Sequence, residues 1–231
     1  SRTATGTPVL NFMNLNSGER VTAVIPIKDF NTSEERVMVT KMGTIKKTPL
    51  KEFDTNRKTG LIAITLKDGD KLIAVGQSSG DEKILVVTRL GKAIAFSEKD
   101  VRSMGRNAGG VRAISLEKND EVVSMELDSE GKRKVLVVTE KGFGKRTPLD
   151  EYRLQARGGK GVATYDKTKF SKTGNLVGAT LVSEDDELMI INSDGVIIRI
   201  RAGEVTKSGR TTQGVKIMKV ESGKRIVSFA K

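Results

Sequence analysis

Two stretches of the chain hold the parts of a phosphate-gripping surface. They are Arg102-Ser-Met-Gly-Arg-Asn-Ala-Gly-Gly-Val-Arg112 and Lys207-Ser-Gly-Arg-Thr-Thr-Gln-Gly-Val-Lys216. Each interleaves cations with glycines and small hydroxyl or amide side chains, the donors that hold a nucleic-acid backbone without reading its bases. A third stretch of the same make-up is Gln155-Ala156-Arg157-Gly158-Gly159-Lys160-Gly161, in which Arg157 and Lys160 would meet phosphates. Its Gly-Gly-Lys-Gly run is not a nucleotide loop, because the spacing to a following Lys-Ser/Thr and a following helix pattern are both missing.

Other chemistries are short of reagents. The chain contains no His and no Cys, so zinc sites, a Ser-His-Asp triad and a Cys-His pair cannot be built within it. The acidic run Glu184-Asp-Asp-Glu187 reads as a solvated loop, not a metal site. Tyr152 follows Asp-Glu in a segment whose counterpart carries Phe53, which cannot attack phosphate, so packing is the better assignment for Tyr152 and Tyr165. No catalytic residue and no cofactor are assigned. A carboxylate enzyme would need a convergent acidic cluster that no repeat position supplies.

The elements that position the basic stretches come from an internal repeat. The block Arg36-Val-Met-Val-Thr-Lys-Met-Gly43 returns as Ile84-Leu-Val-Val-Thr-Arg-Leu-Gly91, Val135-Leu-Val-Val-Thr-Glu-Lys-Gly142 and Leu188-Met-Ile-Ile-Asn-Ser-Asp-Gly195. A second block, glycine followed by a short apolar stretch, starts at Gly6, Gly60, Gly110, Gly161 and Gly214. Both markers keep a period of about fifty residues, which defines units of approximately 1–53, 54–101, 102–152, 153–205 and a partial 206–231.

Each unit supplies four β-strands. In the unit that opens at Gly60 they are Leu61 to Thr65, Leu72 to Val75, Ile84 to Thr88 and Lys92 to Phe96. Val, Ile and Thr dominate these runs and suit a half-buried pleated surface. The glycines at 91 and 195 sit where a tight hairpin needs a positive φ. Helices are expected only as single turns, at Pro49-Leu-Lys-Glu-Phe53 and Pro148-Leu-Asp-Glu-Tyr152, with proline at the first helical position. The fold class is all-β, a propeller-like single domain over 1–231 built of four-stranded blades. WD40 and kelch propellers are disfavoured by the absence of Trp. Five second blocks against four first blocks imply five blades with an irregular closure, or a piece of a six-bladed domain.

Charge falls on one part of the repeat. The chain holds 41 Lys and Arg against 29 Asp and Glu, a net +12. The stretch from Lys41 to Gly60 carries +4, on Lys41, Lys46, Lys47, Lys51, Arg57 and Lys58. Arg89 to Arg112 also carries +4, with Arg89, Lys92, Arg102, Arg106 and Arg112 as the candidate contacts. So does Lys141 to Gly161, with Lys141, Lys145, Arg146, Arg153, Arg157 and Lys160. Asp194 to Lys216 carries +3, with Arg199, Arg201, Lys207, Arg210 and Lys216. The remaining 143 residues sum to −3. A merely solubilising surface would spread its cations through the repeat. Equivalent positions share a radius, so this charge should form a band around the disc and attract a polyanion. Aromatic residues make up only 4% of the chain, too few to stack single strands. Duplex DNA held by its phosphates is the expected partner.

Several of these motifs together resemble a known family. Gly144-Lys-Arg-Thr-Pro-Leu-Asp-Glu-Tyr-Arg-Leu154, the Gln155 to Gly161 segment, Lys46-Lys-Thr-Pro-Leu-Lys-Glu-Phe53, Met104-Gly-Arg-Asn-Ala-Gly-Gly-Val111 and Gly209-Arg-Thr-Thr-Gln-Gly-Val215 are similar to the blades of the DNA gyrase A C-terminal domain. The resemblance spans essentially the whole chain. It implies a β-pinwheel, a disc whose blades exchange strands, of five or six blades in the intact domain. It also implies a disc that wraps duplex DNA around its basic edge in support of ATP-dependent negative supercoiling. The partners it implies are the rest of the gyrase A protein and the gyrase B protein, with ATP and Mg used elsewhere in the holoenzyme, in a bacterial cytoplasm at the nucleoid. The isolated disc is expected to be a non-catalytic monomer.

Two departures qualify the resemblance. The family's hallmark box reads Gln-Arg-Arg-Gly-Gly-Lys-Gly and lies in the first blade. Here Ala156 replaces the first Arg and the segment lies in the fourth unit, so it reads as a degenerate copy, with the true box expected ahead of Ser1. The related C-terminal domain of topoisomerase IV, and a propeller that docks an acidic protein, are the alternatives. No apolar run approaches the roughly 20 residues that span a bilayer, and no membrane partner is expected.

Overall fold

The computed structural model describes residues 11, 15, 18–19, 21–55, 57, 60–129 and 133–231. Fifteen strands occur among them: β1 (Glu35–Thr40), β2 (Thr44–Pro49), β3 (Leu72–Ser78), β4 (Lys83–Thr88), β5 (Lys92–Ser97), β6 (Val111–Arg112), β7 (Val122–Asp128), β8 (Lys134–Thr139), β9 (Phe143–Pro148), β10 (Val162–Ala163), β11 (Leu176–Val182), β12 (Glu187–Asn192), β13 (Ile197–Arg201), β14 (Val215–Lys216) and β15 (Ile226–Ala230). They form antiparallel sheets in the orders β3-β1-β2-β6, β10-β5-β4-β7, β11-β8-β9-β14 and β13-β12-β15.

Each sheet is founded on one first-block hairpin, whose turn glycine has φ of 77° to 80° at Gly43, Gly91, Gly142 and Gly195. One long strand joins the hairpin from the next unit, and in three sheets a two-residue strand joins it from the unit after that. A sheet therefore draws on up to three consecutive units, and no unit can form its own blade. This is strand exchange along a ring.

The core lies between blades, not within them. Val37, Val39 and Ile45 pack on Ile84, Val86, Ile94 and Phe96 of the next sheet. Leu85, Val87, Ala93 and Ala95 pack on Val135 and Val137. Leu136 and Val138 pack on Leu188 and Ile190. The middle strands are thus covered on both faces, which is why their apolar residues run continuously instead of alternating. At the axis, the edge strands β3, β7, β11 and β15 pack in succession. Ile73, Val123, Val177 and Val227, one from each, help to line a central cavity of about 380 Å³. The opposite sheet edges, at β6, β10 and β14, face outward.

Three expectations change. Blades number four among the described residues, because sheets count hairpins, of which there are four, and not second-block glycines, of which there are five. The Gly6 block and Lys58 lie outside the described residues. Leu61 to Thr65 forms no strand: each second-block strand pairs with the hairpin two units earlier, and for this segment of the second unit no such hairpin lies among the described residues. The single turns are 3-10 helices at Leu50–Phe53 and Leu149–Glu151, with Pro49 and Pro148 at the capping position instead of the first helical one. The longest continuous helical path among the described residues, through Lys167–Lys169 and Phe170–Thr173, also lies in a connection. No helix among the described residues is long and apolar enough to cross a membrane.

Candidate nucleic-acid interface

The three basic loops run beside the second strand of each hairpin. Single parallel bridges fix them there, at Lys47 with Ser103, Ala95 with Leu154, and Arg146 with Lys207. Each loop then ends in a second-block glycine that starts an outer strand: Gly110 before β6, Gly161 before β10, Gly214 before β14. These glycines have φ of 88°, 67° and 73°. A Cβ on Gly110 would come within 2.6 Å of the Ile45 carbonyl, and Gly161 and Gly214 press on the corresponding carbonyls of Ala93 and Gly144. Only glycine allows both the left-handed turn and this approach. The loops are thereby held on the outer edges of the sheets, away from the central cavity.

The predicted cations divide by what they touch. Lys51, Arg57, Arg102, Arg112, Lys141, Arg153, Lys160, Arg199, Arg201, Lys207 and Lys216 are exposed. Of these, only Arg199 forms an ion pair among the described residues, with Glu187. Lys141 donates to the Ser171 carbonyl at 2.6 Å, and the Lys216 ammonium lies 5.5 Å from the Phe143 ring centroid. Lys41, Arg89 and Lys92 are half-buried and reach Glu121 at 2.8 Å, Glu140 at 3.3 Å and Glu117 at 3.8 Å.

Four predicted contacts turn inward. Lys46 and Lys145 are fully buried, while Lys47 and Arg146 are 7% and 5% exposed. The physical cause is the ring: a middle strand has neighbours on both faces, so even polar side chains there are covered. Lys47 lies 2.9 Å from Glu98, itself fully buried, and 3.0 Å from Glu35. Burial works to lower the Lys47 pKa, but the hydrogen bonds and charges of Glu98 and Glu35 outweigh it and the value is raised. Arg146 donates to the carbonyls of Val205 at 2.6 Å and Gly203 at 2.9 Å, and to Glu184 at 2.5 Å. These side chains bind the protein to itself and leave nothing for phosphate.

Arg106, Arg157 and Arg210 occupy one equivalent loop position and are half-buried. Each guanidinium donates from Nη1 to the backbone carbonyl of the segment one repeat earlier: Ile62 at 3.2 Å, Arg112, and Ala163 at 3.0 Å. Each still has further N–H groups for a ligand. In the Gln155 to Gly161 segment, Gly158 has φ of 84°, Gln155 donates its backbone N–H to Ala95, and Lys160 is exposed.

The residues that sequence reasoning missed are carboxylates and a lysine that hold these loops. Glu52 and Glu151 accept the backbone N–H of Arg106 and Arg210 at 2.9 and 3.3 Å. Lys83 donates to the carbonyls of Leu149 and Tyr152. The recurrence of Glu in Pro-Leu-x-Glu was a usable signal. The acidic run is also more than a solvated loop, since Glu184 bridges Lys134 and Arg146 across a blade. Tyr152 and Tyr165 are buried, Tyr152 bonding Thr164 at 2.5 Å and Tyr165 stacking on Phe170. Burial raises the pKa of both.

Comparison with known proteins gives one consistent result. A family described as the DNA gyrase C-terminal domain, a beta-propeller, matches residues 1–28, 37–79, 82–127, 133–183 and 186–231. The chain is 42% identical over 233 residues to the DNA gyrase A protein of Staphylococcus epidermidis, and 39% identical over 229 residues to that of Salmonella typhimurium. Those alignments cover 100% and 99% of this chain but 26% of each relative, so the chain spans about a quarter of their length. Among solved structures, the C-terminal domain of DNA topoisomerase IV superposes with a TM-score of 0.92 at 27% identity, over 97% of this chain and 70% of that one. A DNA gyrase A C-terminal domain superposes at 0.87 and 27% identity, over 99% and 75%.

Proposed function

The chain belongs to the DNA gyrase C-terminal domain family, and from that premise we propose that it binds duplex DNA by its phosphates and wraps it around the outer edge of the ring. The observation that carries this reading is the placement of the charge. Lys51, Arg57, Arg102, Arg112, Arg153, Lys160, Arg201 and Lys207 are exposed and form no ion pair among the described residues. Most of them lie on the loops or outer strands beyond the hairpins. Cations so arranged hold a duplex at several successive phosphates and offset the elastic cost of bending it. Base readout has little to work with, since among the described residues no helix or long ribbon projects from the edge.

In the whole protein this activity would serve negative supercoiling by DNA gyrase. The rest of the gyrase A protein would pass the strand and the gyrase B protein would hydrolyse ATP, in the cytoplasm at the nucleoid. The box-like segment, with Ala156 in place of an arginine, contributes Lys160 and Arg157 but has one cation fewer than the family pattern.

The test compares a duplex long enough to encircle the ring with a short one, across a salt series. Affinity that rises with length and falls steeply with salt is the expected result. Affinity indifferent to both would sink the reading and favour an acidic protein partner.

A further inference from the structure

Lys46 in β2 and Lys145 in β9 sit at the same place in two blades, are fully buried, and yet reach the basic loops. The Lys145 ammonium donates to the carbonyls of Gly209, at 2.7 Å, and Arg210. That of Lys46 donates to the carbonyls of Ala63, at 2.7 Å, and Arg106. Arg106 and Arg210 are equivalent, and the N–H of each is gripped from the other side by Glu52 or Glu151. In a planar trans peptide the carbonyl and the following N–H point in opposite directions. A carbonyl drawn onto the buried ammonium therefore turns the N–H of Asn107 or Thr211 outward. One turn later the Tyr165 hydroxyl donates to the Gln213 carbonyl, which holds the peptide that precedes Gly214. Among the described residues, nothing accepts from the N–H of Asn107, Thr211 or Gly214.

The blade between them is an internal control. Its residue at this position is Ile94, which has no ammonium to offer. There the equivalent N–H, that of Gly158, is consumed by the Ala113 carbonyl at 2.8 Å. Where the lysine is present the N–H faces out; where it is absent the N–H is used up inside.

We infer that Lys46 and Lys145 are positioning residues for DNA, each setting the peptide planes of the loop above it so that free N–H groups face the phosphates. The inference rests on the reading of the chain as a duplex binder. Neither ammonium touches the ligand. Both act through the backbone, which suits a contact that must accept any sequence.

Lys145 also carries a signature that can be followed by titration. The Tyr165 ring centroid lies 5.6 Å from its ammonium. Burial lowers its pKa to about 7, with the charges of Glu151 and Asp166 opposing the shift and that of Arg210 adding to it. The chain has no His and no Cys, so the interval between pH 6 and 8.5 is nearly empty of other side-chain titrations.

The experiment measures short-duplex affinity at constant salt from pH 6 to 8.5 for the 231-residue chain and for Lys145→Met, with binding enthalpy recorded in buffers of different ionisation enthalpy. The wild type should bind severalfold more weakly at pH 8.5 and take up protons on binding above pH 7. Lys145→Met should bind about tenfold more weakly at pH 6, the worth of one charge-assisted hydrogen bond, and show neither effect. Stability must move the other way. With its folded pKa below the unfolded 10.5, Lys145 leaves the unfolded chain with the extra proton between these values, so stability rises with pH there. A lysine that merely held the fold would move affinity and stability together. Wild-type affinity independent of pH, or Lys145→Met binding as tightly as wild type, overturns the inference and leaves the proposed function standing. Failure of the wild type to bind duplex at any pH overturns the function itself. If Lys145→Met does not fold, the wild-type pH profile and proton uptake decide.

Discussion

The guanidinium of Arg210 lies 3.0 Å, through Nη1, from the carbonyl of Ala163, and so ties the basic loop of one blade to the outer strand of the blade before it. The same tie joins Arg157 to Arg112 in β6, and Arg106 makes the equivalent bond to Ile62, in a segment that forms no strand. Adjacent blades are thus fastened at the circumference by the very loops that carry the charge. The outer edge is a linked chain of loops, and the geometry of the rim is coupled to the stability of the ring.

This coupling separates two kinds of cation. Lys207→Ala, which removes an exposed ammonium with no ion pair, should leave the melting temperature within experimental error. It should lower duplex affinity and reduce the salt slope by about 0.9, the release of one counterion. Arg210→Ala should lower affinity as well and also cost about 1 kcal/mol of stability, one partly exposed charge-assisted hydrogen bond. Thermal melts and salt titrations on the two variants check this; equal melting temperatures would refute the tie.

Lys47→Met should be among the most damaging single changes to a cation in the chain. It strips the fully buried Glu98 of its ammonium, and breaking a buried pair from one side costs about 3 kcal/mol. Lys47→Met with Glu98→Leu should recover much of that loss. Urea denaturation of the two variants measures both, and a single variant as stable as wild type would show the pair to be dispensable.

The hairpins, the fifty-residue period and the placement of charge beyond each hairpin were all legible in the sequence. Apolar runs such as Ile84 to Val87 and recurring turn glycines do not depend on distant partners. What was illegible arose from contacts between repeats. Thr44–Pro49 and Phe143–Pro148 look like solvent-facing strands, with two consecutive cations each, yet their four or five buried positions are covered by neighbouring sheets. Local hydropathy cannot report a cover that comes from another repeat, so Lys46, Lys47, Lys145 and Arg146 were read as rim cations. Strand exchange, too, entered only through the family resemblance. The glycines that mark the second block were found as spacers, whereas their pressure on the carbonyls of Ile45, Ala93 and Gly144 needed the fold.

Gly110→Ala tests that pressure. A Cβ would combine a φ of 88° with a 2.6 Å approach to the Ile45 carbonyl. The expected loss is about 2 kcal/mol or more, together with weaker DNA binding, because β6 and the loop before it would shift off β2. Gly18→Ala is the control for positive φ alone, since a Cβ there meets nothing within 4 Å, and it should cost clearly less. Equal losses would assign the whole effect to backbone strain.

Acid provides the last test, through Glu184. Its carboxylate accepts from Lys134 and Arg146, both at 2.5 Å, and the hydrogen bonds of these two cations hold its pKa down to about 2 against an ordinary 4.5. A carboxyl whose folded pKa is depressed stabilises the fold fully above its unfolded pKa, and that stability is lost as pH falls through the folded value. The window for Glu184 therefore runs from about 4.5 down to about 2. Wild-type melting temperature should fall steadily across it. Glu184→Gln should melt lower than wild type at pH 7, converge on it near pH 2, and so show a shallower slope between. Asp166 and Glu117, whose pKa values are also lowered by side-chain hydrogen bonds, keep their share of the slope in the variant. Parallel curves for wild type and Glu184→Gln would mean that the Lys134–Glu184–Arg146 bridge contributes nothing to the joint between its blades.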